Sequence, residues 1–90
     1  MNYAYLVRCS DDSLYAGWTN NLEKRMQAHN QGSGAKYTRS RRPVALAYYE
    51  TFETKEEAMK REAAFKKLTH QQKEHLISQS DRPSSFAAFP

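Results

Sequence analysis

Ninety residues, 39% of them hydrophobic and 12% aromatic, are enough to build one core and too few to build two. The 14 Lys and Arg outweigh the 10 Asp and Glu for a net charge of +4, and no apolar run approaches the roughly 18 residues of a membrane span, which excludes functions that need one. Cys9 is the single cysteine, so an internal disulfide and a cysteine-based zinc site are excluded as well. The start Met1-Asn2-Tyr3 shows neither the charged nor the apolar region of a secretory leader, and a cytoplasmic location is expected.

Tyr3 to Cys9 is rich in aromatic and β-branched residues and breaks at Ser10-Asp11-Asp12-Ser13, after which Leu14 to Thr19 resumes the pattern. Two short strands around four polar residues predict a β-hairpin, with Tyr3, Tyr5, Val7 and Cys9 on one face and Tyr15 and Gly17 together on one face of the second strand. Asn20 with Glu23 has capping-box spacing, and Leu22, Met26 and His29 recur at helical intervals, which predicts a helix over about 21–30. The stretch 31–42 holds Gly32, Ser33 and Gly34, lacks either periodicity, and is expected to be an exposed basic loop. Val44 to Phe52, introduced by Pro43, predicts a third strand lying against the hairpin. Thr54 with Glu57 opens a helix to about Lys67, and Thr69 with Gln72 opens another to about Ser78. The domain is therefore expected to span 1–79, with 80–90 a flexible C-terminal tail, since Asp81 to Ser85 has linker composition. The order ββαβαα is that of an α+β domain, a small sheet with helices packed on it.

Several positions are chemically expensive. Lys24, Arg25, Lys36, Arg39, Arg41 and Arg42 fall between residues 24 and 42 with no acidic residue among them, a footprint either of phosphate contact or of a merely solvated loop. Glu62 falls on the helical stripe of Ala58, Phe65 and Leu68, where an ionised carboxylate is costly unless a partner or a metal takes up its lone pairs. It is either a stripe-edge residue reaching water, Arg25 or a lysine, or a ligand of a divalent metal; one carboxylate suits Mg²⁺, which completes its shell with water and phosphate. Arg25 and His29 lie four apart on one side of their helix. Arg25 is either a snorkelling surface residue or a planar fork for a phosphate, and His29 is either packed or catalytic. Tyr5 and Tyr15 are explained by sheet packing alone, or as phenols that position or deprotonate a water.

Tyr3-Ala4-Tyr5 followed after nine residues by Tyr15-Ala16-Gly17 resembles the paired motif of the GIY-YIG endonuclease superfamily. Arg25 ten residues beyond Tyr15, His29 four further on, and Glu62 in Arg61-Glu62-Ala63-Ala64-Phe65 match that family's order and spacing. Residues 2–78, including Gly34 to Arg39 and Arg41-Arg42-Pro43, are similar to its small stand-alone bacterial members; Tyr3, Ala4 and Ala16 depart from the name motif. The resemblance implies a three-stranded antiparallel sheet flanked by helices. It further implies hydrolysis of a DNA phosphodiester with one divalent metal, Mg²⁺ or Mn²⁺. In that scheme Glu62 holds the metal, Arg25 stabilises charge on the phosphate, Tyr5 and Tyr15 line the site with one of them acting on the water, and His29 orients a tyrosine or the phosphate. Lys36, Tyr37, Arg39, Arg41 and Arg42 would contact the DNA. Cutting at branched, nicked or damaged sites is expected, since 90 residues leave no room for an appended DNA-reading domain. The rival expectations are a non-catalytic nucleic-acid-binding module and an adaptor that binds a partner through the apolar tail, although no protein partner is identifiable.

Overall fold

In the computed structural model, β1 (Asn2–Arg8), β2 (Leu14–Thr19), α1 (Leu22–Gln31), α2 (Lys36–Arg39), β3 (Ala45–Phe52), α3 (Lys55–Lys66) and α4 (His70–Gln79) follow in chain order. Residues 1–79 are described, and the expected tail at 80–90 lies outside the described residues. The sheet is antiparallel throughout with strand order β2-β1-β3, the α+β architecture and element order that the sequence implies, with the one-turn α2 added.

Because β1 is central, both of its faces are covered, and Ala4, Tyr5, Leu6 and Val7 are all fully buried. Alternation sends Tyr5, Val7 and Cys9 to one side, where they pack with Leu22 and Met26 of α1 and with Val44 and Leu46. Ala4, Leu6 and Ala16 turn to the other side and meet Phe65 of α3, with Leu68, Leu76 and Ile77 around it. The sheet is thus sandwiched between α1 and the α3–α4 pair.

The helix starts follow from their caps, with one shift of a residue. Asn21 rather than Asn20 caps α1, its side chain accepting from the Lys24 N–H at 3.1 Å, and Gly32 ends the helix with φ 90°. Thr54 and Glu57 form the expected reciprocal box at α3, and Thr69 and Gln72 do the same at α4 (2.9 and 3.1 Å). The Asn30 side chain brackets Val44, donating to its carbonyl at 3.0 Å and accepting from its N–H at 2.7 Å, so the end of α1 sets the start of β3.

The segment 31–42 differs from the expected open loop. It contains α2, and Thr38 within it is fully buried. A single helical turn is too short to show periodicity, and a threonine can be buried when its hydroxyl is satisfied. Arg41 is also only half exposed and is held at 3.0 Å by Asp11 from the hairpin turn.

Candidate active site

Tyr5 stands opposite Gly17 in the β1–β2 register, and its ring crosses the glycine. A Cβ at position 17 would lie 2.6 Å from the Tyr5 Cζ and would overlap the hydroxyl, so only glycine leaves the phenol this path. The hydroxyl arrives between two side chains of α1, with the Nε–H of Arg25 donating to it at 3.2 Å and the His29 Nε2 at 2.8 Å. On the other side of the imidazole, Nδ1 is 2.9 Å from the Thr38 Oγ1, which in turn lies 3.2 Å from the Ala35 carbonyl.

The two ends of this chain have fixed directions. Arginine only donates and a carbonyl only accepts. Thr38 Oγ1 is placed to donate to the Ala35 carbonyl, and which ring nitrogen of His29 carries the hydrogen decides the direction of its bonds to Thr38 and Tyr5. The contacts run in the order Arg25, Tyr5, His29, Thr38, Ala35. Gly34 closes the cage, since a Cβ there would come within 2.6 Å of the His29 Nδ1.

Both ends of the central bond are tuned to stay neutral. Burial pulls the His29 pKa down to about 4, and the Arg25 charge adds to the effect. Burial pushes Tyr5 up to about 12 against the opposing hydrogen bond and charge of Arg25, while Tyr15 and the Glu62 carboxylate reinforce the rise. The histidine has a stability consequence. With its folded pKa below the unfolded 6.5, the unfolded chain binds the extra proton, so the contribution is fully present above pH 6.5 and is lost as the pH falls to about 4. The loss is expected to reach roughly 3 kcal/mol. Urea unfolding of the parent and of His29→Gln between pH 7 and 4 checks this, because the parent should lose distinctly more stability than the variant across that window.

Arg25 spends only its Nε on the protein. Its two terminal amino groups have no protein hydrogen-bond partner among the described residues, and the side chain is half-buried. A surface cavity of about 220 Å³ lined by Thr19, Asn20, Asn21, Lys24, Arg25 and Ala28 opens beside it. A larger cavity, about 490 Å³, is lined by Arg61, Leu68, Gln71, Gln72, His75 and Leu76 of α3, α4 and their connection, and includes none of the Tyr5 chain.

Tyr15 is half-buried. Its ring meets His29 edge-on at 5.7 Å and stacks on Tyr37 at 5.6 Å, and the Arg41 guanidinium lies 3.9 Å from the centre of the Tyr37 ring. The basic residues expected to face DNA are therefore partly engaged within the protein. Arg41 donates to Asp11 and to the Tyr37 carbonyl (2.8 Å), Arg39 to the Gly32 carbonyl (3.3 Å), and Arg42 to the Arg39 carbonyl (2.8 Å). Carbonyls hold Arg39 and Arg42 without cancelling their charge, whereas Asp11 offsets that of Arg41. Lys36 is exposed and has no protein partner among the described residues.

Glu62 is neither interior nor fully solvated. Its side chain keeps 20% of its exposure, and its carboxylate lies 3.6 Å from the ammonium of Lys66, itself 55% exposed. A loose pair of this kind leaves lone pairs available, so Glu62 with its electrostatic reach to Tyr5 fits one ligand of a hydrated Mg²⁺ or Mn²⁺. Among the described residues, the grouping of possible metal ligands is Asp12, His70 and Glu74, which includes none of the Tyr5 chain. Arg8 binds both of its carboxylates, Glu74 through two bonds of 2.7 Å and Asp12 at 3.0 Å, and so supplies the positive charge there.

The structure thus joins Tyr5, Arg25 and His29 through hydrogen bonds, sets Tyr15 against His29, and brings Glu62 within electrostatic range. Gly17, Gly34 and Thr38 belong to the same construction, although no signal in the sequence gives them a role in it.

A model of the GIY-YIG catalytic domain matches residues 1–75. A UPF0213 protein of Clostridium perfringens is 64% identical over 78 residues, covering 87% of this chain and 84% of the relative, and the UPF0213 protein YazA of Bacillus subtilis is 54% identical over 78 residues, covering 87% and 79%. The solution NMR structure of a UPF0213 protein from Bacillus halodurans is similar with a TM-score of 0.59 and 41% identity, over 96% of this chain and 93% of that one.

Proposed function

The chain belongs to the GIY-YIG catalytic-domain family, and from that membership together with the site geometry we propose that it is a divalent-metal-dependent endonuclease that hydrolyses DNA phosphodiesters at branched, nicked or damaged sites. The observation that carries the reading is the Arg25 guanidinium. Tyr5 takes its Nε–H, which holds the guanidinium from behind and leaves its two terminal amino groups without a protein partner among the described residues. A fork fixed from behind is suited to a phosphate and is already oriented before substrate arrives.

Each role follows from placement. Arg25 binds the non-bridging oxygens of the scissile phosphate and stabilises the charge that develops on them. Tyr5 is buried, its hydroxyl is hydrogen-bonded to His29 and its pKa is pushed up to about 12, so it serves to aim Arg25. Tyr15 stands outside that chain and is half-exposed, and it positions the attacking water. Glu62 would hold a divalent cation, which when bound supplies charge neutralisation at the phosphate and a water of lowered pKa. Lys36, Tyr37, Arg39, Arg41 and Arg42 flank the site and would grip the strand through its phosphates. A cytoplasmic setting suits the buried, free Cys9 thiol.

Replacing Arg25 with lysine tests the clamp, because it keeps the charge and loses the fork. Under single-turnover conditions with branched DNA and Mg²⁺, Arg25→Lys is expected to cleave roughly 10²- to 10³-fold more slowly than the parent. Affinity for the same DNA should stay within about threefold, since one phosphate contact is retained. Parental cleavage by the lysine variant would reduce Arg25 to a general surface charge.

A further inference from the structure

We propose that Thr38 is a positioning residue that fixes His29 in the Nδ1–H form, so that Nε2 holds the Tyr5 proton and the Tyr5 oxygen stays turned to Arg25. The consequence for cleavage rests on the nuclease reading above, while the tautomer itself does not.

One hydrogen decides the state of this chain. In water the two neutral forms of an imidazole lie close in energy, so in a buried site the partners decide between them. His29 and Thr38 are both fully buried. With the hydrogen on Nδ1, every group in the chain has a partner: Nδ1–H donates to Thr38, Thr38 donates to the Ala35 carbonyl, Tyr5 donates to Nε2, and Arg25 donates to Tyr5. With the hydrogen on Nε2 instead, Tyr5 would accept from both His29 and Arg25, and its own proton would have no acceptor among the described residues. Thr38 would also have to leave Ala35 and turn toward Nδ1. Gly34 lies against the imidazole and the His29 backbone, so the ring cannot evade the choice by swinging away.

The supporting segment is built for the task. Ala35 accepts both the Thr38 hydroxyl and the Arg39 N–H (3.1 Å), and the Thr38 carbonyl accepts the Arg41 N–H (3.0 Å), so the turn that carries Thr38 is closed on both sides. The same turn presents Lys36, Tyr37 and Arg39 outward. A DNA strand gripping those residues would hold the histidine lock in place from outside.

Long-range ¹H–¹⁵N correlation of the imidazole in ¹⁵N-labelled protein reads the tautomer directly, and the same samples give cleavage rates and melting curves. The parent is expected to show a single form, protonated at Nδ1. Thr38→Ser keeps the hydroxyl and should keep both that form and the cleavage rate within about threefold. Thr38→Val keeps the shape and removes the hydroxyl. It should shift His29 toward the Nε2–H form or a mixture and, at a temperature where it remains folded, cut roughly 10- to 100-fold more slowly, with DNA affinity unchanged. A parent protonated at Nε2 overturns the proposal, as does a folded Thr38→Val protein that keeps the parental tautomer and rate. If the valine variant does not fold, the parent spectrum and the serine variant decide, because loss of the Nδ1–H form in Thr38→Ser would place the effect in packing rather than in the hydroxyl. A parent with the expected tautomer and no cleavage would overturn the nuclease reading and leave the tautomer assignment supported.

Discussion

Glu62→Gln is expected to reduce cleavage to background while leaving the melting temperature within about 3 °C of the parent. The substitution keeps the size of the side chain and removes its charge. What it breaks within the protein is the contact with Lys66 at 3.6 Å, and a pair whose cation is 55% exposed is worth only about 0.3–0.5 kcal/mol. The stability cost is small, whereas the loss of a metal-binding carboxylate is not. Mg²⁺ or Mn²⁺ should raise the melting temperature of the parent, since a ligand bound only by the native state at 100 times its Kd contributes about 2.7 kcal/mol. The variant should show no such rise. If its melting temperature instead drops by more than about 8 °C while metal-dependent cutting survives, Glu62 is a structural residue and the metal is held elsewhere.

Gly17→Ala should be the most damaging small substitution in the sheet. The added methyl meets the Tyr5 ring, with Cζ at 2.6 Å and the hydroxyl closer still, and neither side can give way easily. Tyr5 is buried on the central strand, and its hydroxyl is tied to Arg25 and His29. Overpacking of this kind typically costs about 1–3 kcal/mol, or roughly 4–8 °C in melting temperature for each kcal/mol in a domain of this size. The effect on cleavage should be larger, roughly 10²-fold, because a displaced Tyr5 hydroxyl no longer aims the Arg25 fork. Both readouts are needed, with rates taken well below the melting point. A variant as stable and as active as the parent would mean that Tyr5 does not cross Gly17.

The long elements were legible in the sequence because each has a local signal of its own. Thr54 with Glu57 and Thr69 with Gln72 mark helix starts by chemistry that operates within four residues, and Tyr3 to Cys9 alternates on the period of a strand. Tyr5, Tyr15, Arg25 and His29 could be selected together through their resemblance to the GIY-YIG motif, while the residues by themselves left packing roles open for each. What could not be read was how they meet. Four turn residues, 10–13, would pair Cys9 with Leu14, whereas the observed pairing is Arg8 with Leu14, with Asp12 at φ 70° and the turn closed by Cys9 N–H to the Ser13 carbonyl at 2.8 Å. That shift of one residue is what sets Tyr5 opposite Gly17. Asn21 took the capping role from its neighbour Asn20 for a similar reason, since adjacent residues of one type compete and geometry decides. Thr38 was hidden because a polar residue in a Gly-rich basic segment carries no sign of burial until its partner, nine residues away, is in place. The loop arginines looked free because most of their acceptors are backbone carbonyls, which composition does not reveal, and the Asp11 carboxylate that also takes Arg41 is distant in the chain.

The most direct test of the account is cleavage itself, measured with purified protein on supercoiled plasmid and on an end-labelled branched duplex, in Mg²⁺, in Mn²⁺ and in EDTA. The proposed chemistry requires nicked plasmid and discrete cuts near the branch in either metal, no product in EDTA, and recovery of cutting when excess metal is restored. Saturable, salt-sensitive binding to the same DNA with no product in any metal would contradict it and would identify the domain as a nucleic-acid-binding module that keeps the fold without the reaction.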